Sequence, residues 1–150
     1  MPTWDLFISY EWGMKERVHK ICKELKERGF QIWIDADEVK HGESIFSNIQ
    51  NGINNSEIVL AFITLKYCES RSCLQEIRYA NGIKNKKILY IALERIDRQK
   101  APNGMGVLLA ENYYYSNYCK EWSNDELSKL AETLKAIMYI FLDTTLMKLI

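Results

Sequence analysis

The segment Ser70-Arg71-Ser72-Cys73-Leu74-Gln75-Glu76 has residue types and a spacing suited to chemistry. In a helix, Cys73 lies one turn before Glu76, so the two look out from neighbouring faces of its first part. Helix N-termini carry a positive partial charge, which favours a carboxylate and suits a polar substrate. A carboxylate in a cleft can hold sugar hydroxyls by charge-assisted hydrogen bonds. It can also stabilise a developing oxocarbenium ion, the main requirement for cleaving a glycosidic bond. From spacing alone, however, a glutamate early in a helix is more often a solvated residue that complements the dipole. Other chemistries are poorly supplied. Only His19 and His41 offer imidazole, and no Gly-x-Ser-x-Gly elbow occurs, so a Ser or Cys nucleophile has few bases to draw on. Cys22, Cys68, Cys73 and Cys119 show neither CxxC spacing nor a nearby histidine pair. No metal site is therefore expected, and a reducing, cytoplasmic compartment is the simpler reading.

A lone carboxylate needs a scaffold that brings it to a crevice. Leu6 to Ser9 is a short apolar run ending in a small polar residue, and after Gly13 the positions Met14, Val18, Ile21, Cys22 and Leu25 fall at helical spacing. Gly29 supplies a left-handed helix stop. Phe30 to Ile34 reads as a strand, Asp35 to Glu43 as a polar loop, and Ile45, Ile49 and Ile53 mark one face of a short helix. Ile58 to Ile63, β-branched and aromatic almost throughout, predicts a central strand covered on both faces. A third helix is expected over about Ser70 to Ile83, a fourth strand at Lys87 to Ala92, and a fifth within Val107 to Tyr115, after the long loop Glu94 to Met105. Ser123 with Glu126 makes a capping box ahead of the amphipathic stripe Leu127, Leu130, Ala131, Leu134, Ile137, Met138 and Phe141.

Helices of ten or more residues between strands impose right-handed crossovers. The expected fold is therefore α/β, a flavodoxin-like three-layer sandwich with a five-stranded parallel sheet in the order 2-1-3-4-5. In such sheets ligands bind beyond the carboxyl ends of the strands, where the winding reverses between the first and third. Ser9 to Trp12, the loop after Asp35, and the segment from Ile63 into the third helix converge there. His19 is expected at the end of the first helix away from that edge, as a surface residue. His41, in the second loop, is a candidate base but more often such a residue is a solvated loop side chain.

Composition narrows the function further. The 150 residues carry 20 basic and 20 acidic side chains, a formal net charge of zero and 47% apolar residues, the profile of one compact domain. No repeat or Gly/Ser/Pro linker divides the chain, so residues 1–150 are read as a single domain with its core at about 5–142. Balanced, mixed charge lacks the field that a dedicated nucleic-acid binder or anionic-membrane binder uses. No secretory leader is visible at Met1 to Asp5, and the apolar run Ile137 to Leu142 is far shorter than the ~20 residues of a membrane span. The first turn, Ser9-Tyr10-Glu11-Trp12-Gly13, lacks a dinucleotide-binding glycine fingerprint, and no P-loop ending occurs. Ile63-Thr64-Leu65 stands where a phospho-accepting receiver would need an aspartate.

Several short boxes, in order, resemble a Toll/interleukin-1 receptor (TIR) domain over about Asp5 to Ala136. They are Asp5-Leu6-Phe7-Ile8-Ser9-Tyr10, then Arg28-Gly29-Phe30, then Trp33-Ile34-Asp35 with a loop closing at Gly42. Asn51-Gly52-Ile53 with Ser56 follows, and Tyr67, Ser70, Cys73 and Glu76 fall at the family's spacing. Some members of that family are modules that bind other TIR domains, and others hydrolyse NAD. The resemblance implies Glu76 as the catalytic residue, through the Ser-x-x-Cys-x-x-Glu pattern, with NAD as substrate and no cofactor. Ser9, Tyr10, Trp12, Asp35, Ser72 and Cys73 are its implied substrate-binding neighbours. Tyr10 and Trp12 would offer aromatic faces to the nicotinamide or adenine ring, or else pack structurally; Asp35 would hold ligand hydroxyls or shape its loop. Departures from the family pattern are also plain. Ser72 replaces the tryptophan that many hydrolytic members carry before the cysteine, and Glu11 and Trp12 stand where some members have basic residues. Asp37, Glu38 and Lys40 replace the pairs of many receptor-type loops, which favours the hydrolytic branch. The implied partners are other TIR domains, through the loop Asp35 to Gly42, with no nucleic acid and no membrane. The alternative is a TIR-TIR interaction module without catalysis.

Overall fold

A computed structural model of the chain describes residues 3–34, 45–83 and 85–149. Strand β1 (Trp4–Ser9) leads through a single 3-10 turn at Trp12–Met14 into helix α1 (Lys15–Glu27). Gly29 ends that helix at φ 97°, and the Phe30 amide donates back to the Leu25 carbonyl, so a left-handed residue closes the last turn. There follow β2 (Ile32–Trp33), α2 (Ile45–Asn54), β3 (Ser56–Ile63), the short α3 (Leu65–Glu69), α4 (Arg71–Asn81), β4 (Lys87–Ala92), α5 (Met105–Glu111), β5 (Tyr113–Ser116) and α6 (Asn124–Leu149).

The five strands form one sheet in the order β2-β1-β3-β4-β5, and every neighbouring pair is parallel. The expected topology is the observed one. Side-chain alternation along the strands divides the core into two layers. Leu6 and Ile8 of β1, Leu60 and Phe62 of β3, and Leu89 and Ile91 of β4 face α1 and α6. Phe7, Val59, Ala61, Ile63 and Tyr90 face the opposite way, toward Ile53 of α2, Leu74 and Ile77 of α4, and Leu108 and Leu109 of α5.

Three local results differ from the sequence reading. Met105–Glu111 is helical, and the fifth strand starts only at Tyr113. Met105, Leu108 and Leu109 are the buried residues of that segment, at the i, i+3, i+4 spacing of a helix face. The second strand is two residues long, as an edge strand paired only to β1 can be. A separate turn of helix, α3, precedes α4, started by the Thr64 side chain accepting from the Tyr67 amide. By contrast, the capping box at α6 forms as expected: the Glu126 amide donates to Ser123 Oγ at 3.2 Å and the Ser123 amide to Glu126 Oε1 at 3.0 Å.

Candidate functional site

Ser9 closes β1 on the face that looks toward α4, and Glu76 lies in the second turn of that helix. The two meet. Ser9 Oγ donates to Glu76 Oε2 at 2.7 Å, and Tyr67 OH lies 2.7 Å from the same serine oxygen. With the serine proton committed to the carboxylate, the phenol is the donor to Ser9, giving a chain Tyr67 to Ser9 to Glu76. Ser9 and Tyr67 are fully buried and Glu76 is half-buried, so one carboxylate oxygen is held from the buried side. Burial, with the negative charge of Glu76 next, pushes the Tyr67 phenol well above its ordinary range, which keeps it a proton donor.

Glu76 also borders a groove between α2 and α4. Ser72, Gln75, Glu76 and Tyr79 line one wall, at the i, i+3, i+4, i+7 spacing of a single helix face, and Ile49, Gln50 and Ile53 line the other. Tyr79 OH donates to Asn54 Oδ1 at 3.0 Å and ties the two helices together. The enclosed volume is about 30 Å³, the space of a water or two.

Cys73 is buried, and its thiol donates to the Tyr10 carbonyl at 3.4 Å, joining the start of α4 to the tip of β1. Burial first, and then the charges of Glu76 and Glu11, push that thiol up to about 12. It is a structural thiol at neutral pH, not a thiolate nucleophile. Tyr10 has the opposite parity to Ser9. Its ring packs on the α1 and α6 side, with its hydroxyl 3.2 Å from His19 Nε2. His19 is thus half-buried near the sheet edge, correcting the expectation of a surface residue at the far end of α1. Helix α1 begins at that edge, so its fifth residue is only about 6 Å along. Trp12 is 64% exposed, with Lys15 Nζ 4.4 Å above its ring, and it does not line the groove. Asp35 and the loop to Gly42, with His41, lie outside the described residues.

A family model described as TIR domain matches residues 6–135. The chain is a TIR domain. Its fold is similar to the TIR domain of the Toll-related receptor TRR-2 of Hydra magnipapillata, with a TM-score of 0.71 at 16% identity, covering 89% of this chain and 99% of that one. It is also similar to the TIR domains of the activated Roq1 resistosome recognising the effector XopQ, with a TM-score of 0.57 at 19% identity, covering 92% and 85%. Among the described residues of this TIR domain, no group of three His, Cys, Asp or Glu is placed to hold a metal, and no helix is long and apolar enough to cross a membrane.

Of the residues read from the sequence, the fold sets Ser72 and Glu76 on the groove wall, bonds Ser9 to Glu76 from beneath, buries Cys73 against the Tyr10 carbonyl, and turns the Tyr10 ring to the other layer. Sequence reasoning passed over Tyr67, Gln75 and Tyr79 as site residues. A signal for them existed: Tyr67 follows β3 directly, at the same sheet edge as Ser9, and Gln75 and Tyr79 complete the helical stripe through Glu76. Glu11 was missed as well. Its Oε2 is buried without a hydrogen-bond partner, and its charge acts on Cys73.

Proposed function

We propose that this TIR domain is an NAD glycohydrolase with Glu76 as its catalytic carboxylate. The observation that supports the reading is the placement of Glu76. It is half-buried at the carboxyl edge of the sheet, fixed through Oε2 by Ser9, at the border of a groove. In the proposed reaction the ribose of the nicotinamide half lies against Glu76, whose carboxylate accepts hydrogen bonds from the sugar hydroxyls. As the C–N bond breaks, the bonding pair leaves with nicotinamide, and the positive charge moves onto the ribose C1 and ring oxygen, where the carboxylate stabilises it. Nicotinamide bound to ribose is already cationic and departs as a neutral ring. No strong general acid is needed, consistent with a single carboxylate. Water, or a ring nitrogen of the adenine, then takes the vacated position to give ADP-ribose or its cyclic form.

A groove of about 30 Å³ does not hold a dinucleotide, since small-molecule sites usually span about 300–1,000 Å³. The reading therefore includes self-association, with a neighbouring copy completing the site through the segment Asp35 to Gly42. The test is nicotinamide release from NAD by the protein in dilute solution and when clustered on a multivalent scaffold. Release per protomer that rises steeply on clustering supports the proposal, and no release in either state refutes it. A second reading, an interaction module without catalysis, is favoured by the small groove together with the exposed Trp12, a residue type common in docking surfaces. TIR-TIR association without nicotinamide release is its expected signature.

A further inference from the structure

On the opposite layer from Glu76, a cleft of about 310 Å³ lies between α1 and the segment Lys120-Glu121-Trp122 that leads to α6. This volume is within the range of small-molecule sites. Its walls carry the cations Arg17, Lys20, Lys23 and Lys120 over an apolar floor of Ile21 and Leu127, with Trp122 at one side. Two carboxylates also border it. Glu24 is already committed to Arg28 at 2.9 Å, which leaves Glu121 as the one other carboxylate among the cations Arg17, Lys20, Lys23 and Lys120, so the lining stays net positive. Arg17 spans the cleft, its Nη2 donating to the Cys119 carbonyl at 2.9 Å.

Two buried N–H donors in this wall, Arg17 Nε and Trp122 Nε1, have no acceptor. An unpaired buried donor is costly, on the order of 1–3 kcal/mol, and calls for a water or an ion that supplies the missing acceptor. Both orphans are donors and the surrounding charge is net positive, so an anion matches them better than a water, which carries no opposing charge. Phosphate oxygens provide several acceptors at once and suit ammonium and guanidinium partners. The apolar floor and the indole call for a ring attached to that phosphate.

We propose that this cleft is a second ligand site, which binds a free nucleoside monophosphate with its phosphate among Arg17, Lys20, Lys23 and Lys120 and its base against Trp122. The zero net charge of the chain favours a small ligand over a polynucleotide. The site shares no lining residue with the Glu76 groove and does not depend on NAD cleavage.

The probes are adenosine 5′-monophosphate, inorganic phosphate and adenosine, titrated calorimetrically against wild type, Glu76→Ala and the double variant Lys20→Ala/Lys23→Ala. The lysines are exposed helix positions, so the double variant retains its fold. The monophosphate is expected to bind wild type and Glu76→Ala alike, to weaken with added salt, and to lose about tenfold or more in affinity in the double variant. Phosphate alone binds more weakly and adenosine not at all. Absence of monophosphate binding overturns the proposal, as does binding that the double variant leaves unchanged or that Glu76→Ala abolishes. Equal affinity for phosphate and the monophosphate refutes the role of Trp122.

Discussion

At the scale of residues, Ser9 decides how Glu76 is presented. A carboxylate early in a solvated helix would sample several rotamers, and the 2.7 Å bond from Ser9 holds one oxygen of this one at the border of the groove. Tyr67 fixes the direction of the serine proton. Ser9→Ala should therefore lower stability by about 1–3 kcal/mol, the cost of removing a partner from a buried charged hydrogen bond. It should also slow nicotinamide release by about tenfold or more. In a Glu76→Ala background the same substitution should have no further effect on release, which a double-mutant cycle would reveal. Urea denaturation and a release assay on the same four proteins measure both quantities.

At the scale of elements, Gly52 lets α2 lie against the sheet. A Cβ there would come 2.8 Å from the Trp33 ring and 3.0 Å from Phe7, two rings that stack at 4.6 Å across the β1–β2 pair. Both rings are buried in a full core and have nowhere to move. Gly52→Ala should cost about 1–3 kcal/mol despite the better helix propensity of alanine, visible as a lower thermal midpoint. Elements of this kind were legible in the sequence where a period was long and clean. Leu25 and the apolar positions before it gave α1, Ile58 to Ile63 gave the central strand, and Ser123 with Glu126 gave the start of α6. Short elements were not legible, because five to seven residues fit more than one period. A strand within Val107 to Tyr115 is expected for that reason although Met105–Glu111 is helical, and the five-residue α3 falls in the stretch before Ser70 to which the sequence assigns no element. The site was legible to the extent that it lies on long elements: Ser9 and Glu76 were placed at one edge correctly. The side of the sheet was available too, since alternate residues of β1 face opposite layers, and that rule separates Tyr10 from Ser9.

At the scale of the whole molecule, the two core layers seal different thiols and phenols. Cys22, Cys68 and Cys73 are buried and Cys119 is exposed. Alkylation of the folded protein at mildly alkaline pH should label Cys119 first, with the other three reacting only on unfolding, as mass spectrometry of the labelled peptides would show. Burial pushes Cys68 up to about 11 and Cys73 up to about 12, from an ordinary 9.0. Raised folded values favour the protonated native state. Their contribution is complete below about pH 9 and is lost as pH rises through 11 to 12. Tyr67, which burial likewise raises well above its ordinary value, works in the same direction. Chemical denaturation between pH 8 and 11 should show stability falling with pH, and less steeply in Cys73→Ala.

The claim that matters most joins all three scales: a carboxylate fixed by the end of one strand, on one helix, in an assembly of whole domains. It is tested most directly by nicotinamide release from NAD on a clustering scaffold, comparing wild type with Glu76→Gln, which keeps the size of the side chain and removes its charge. The account predicts a loss of about 100-fold or more, the scale of deleting one electrostatic stabiliser of a transition state, with the thermal midpoint and scaffold association retained. Release by Glu76→Gln at the wild-type rate, from protein equally folded and equally clustered, would contradict it.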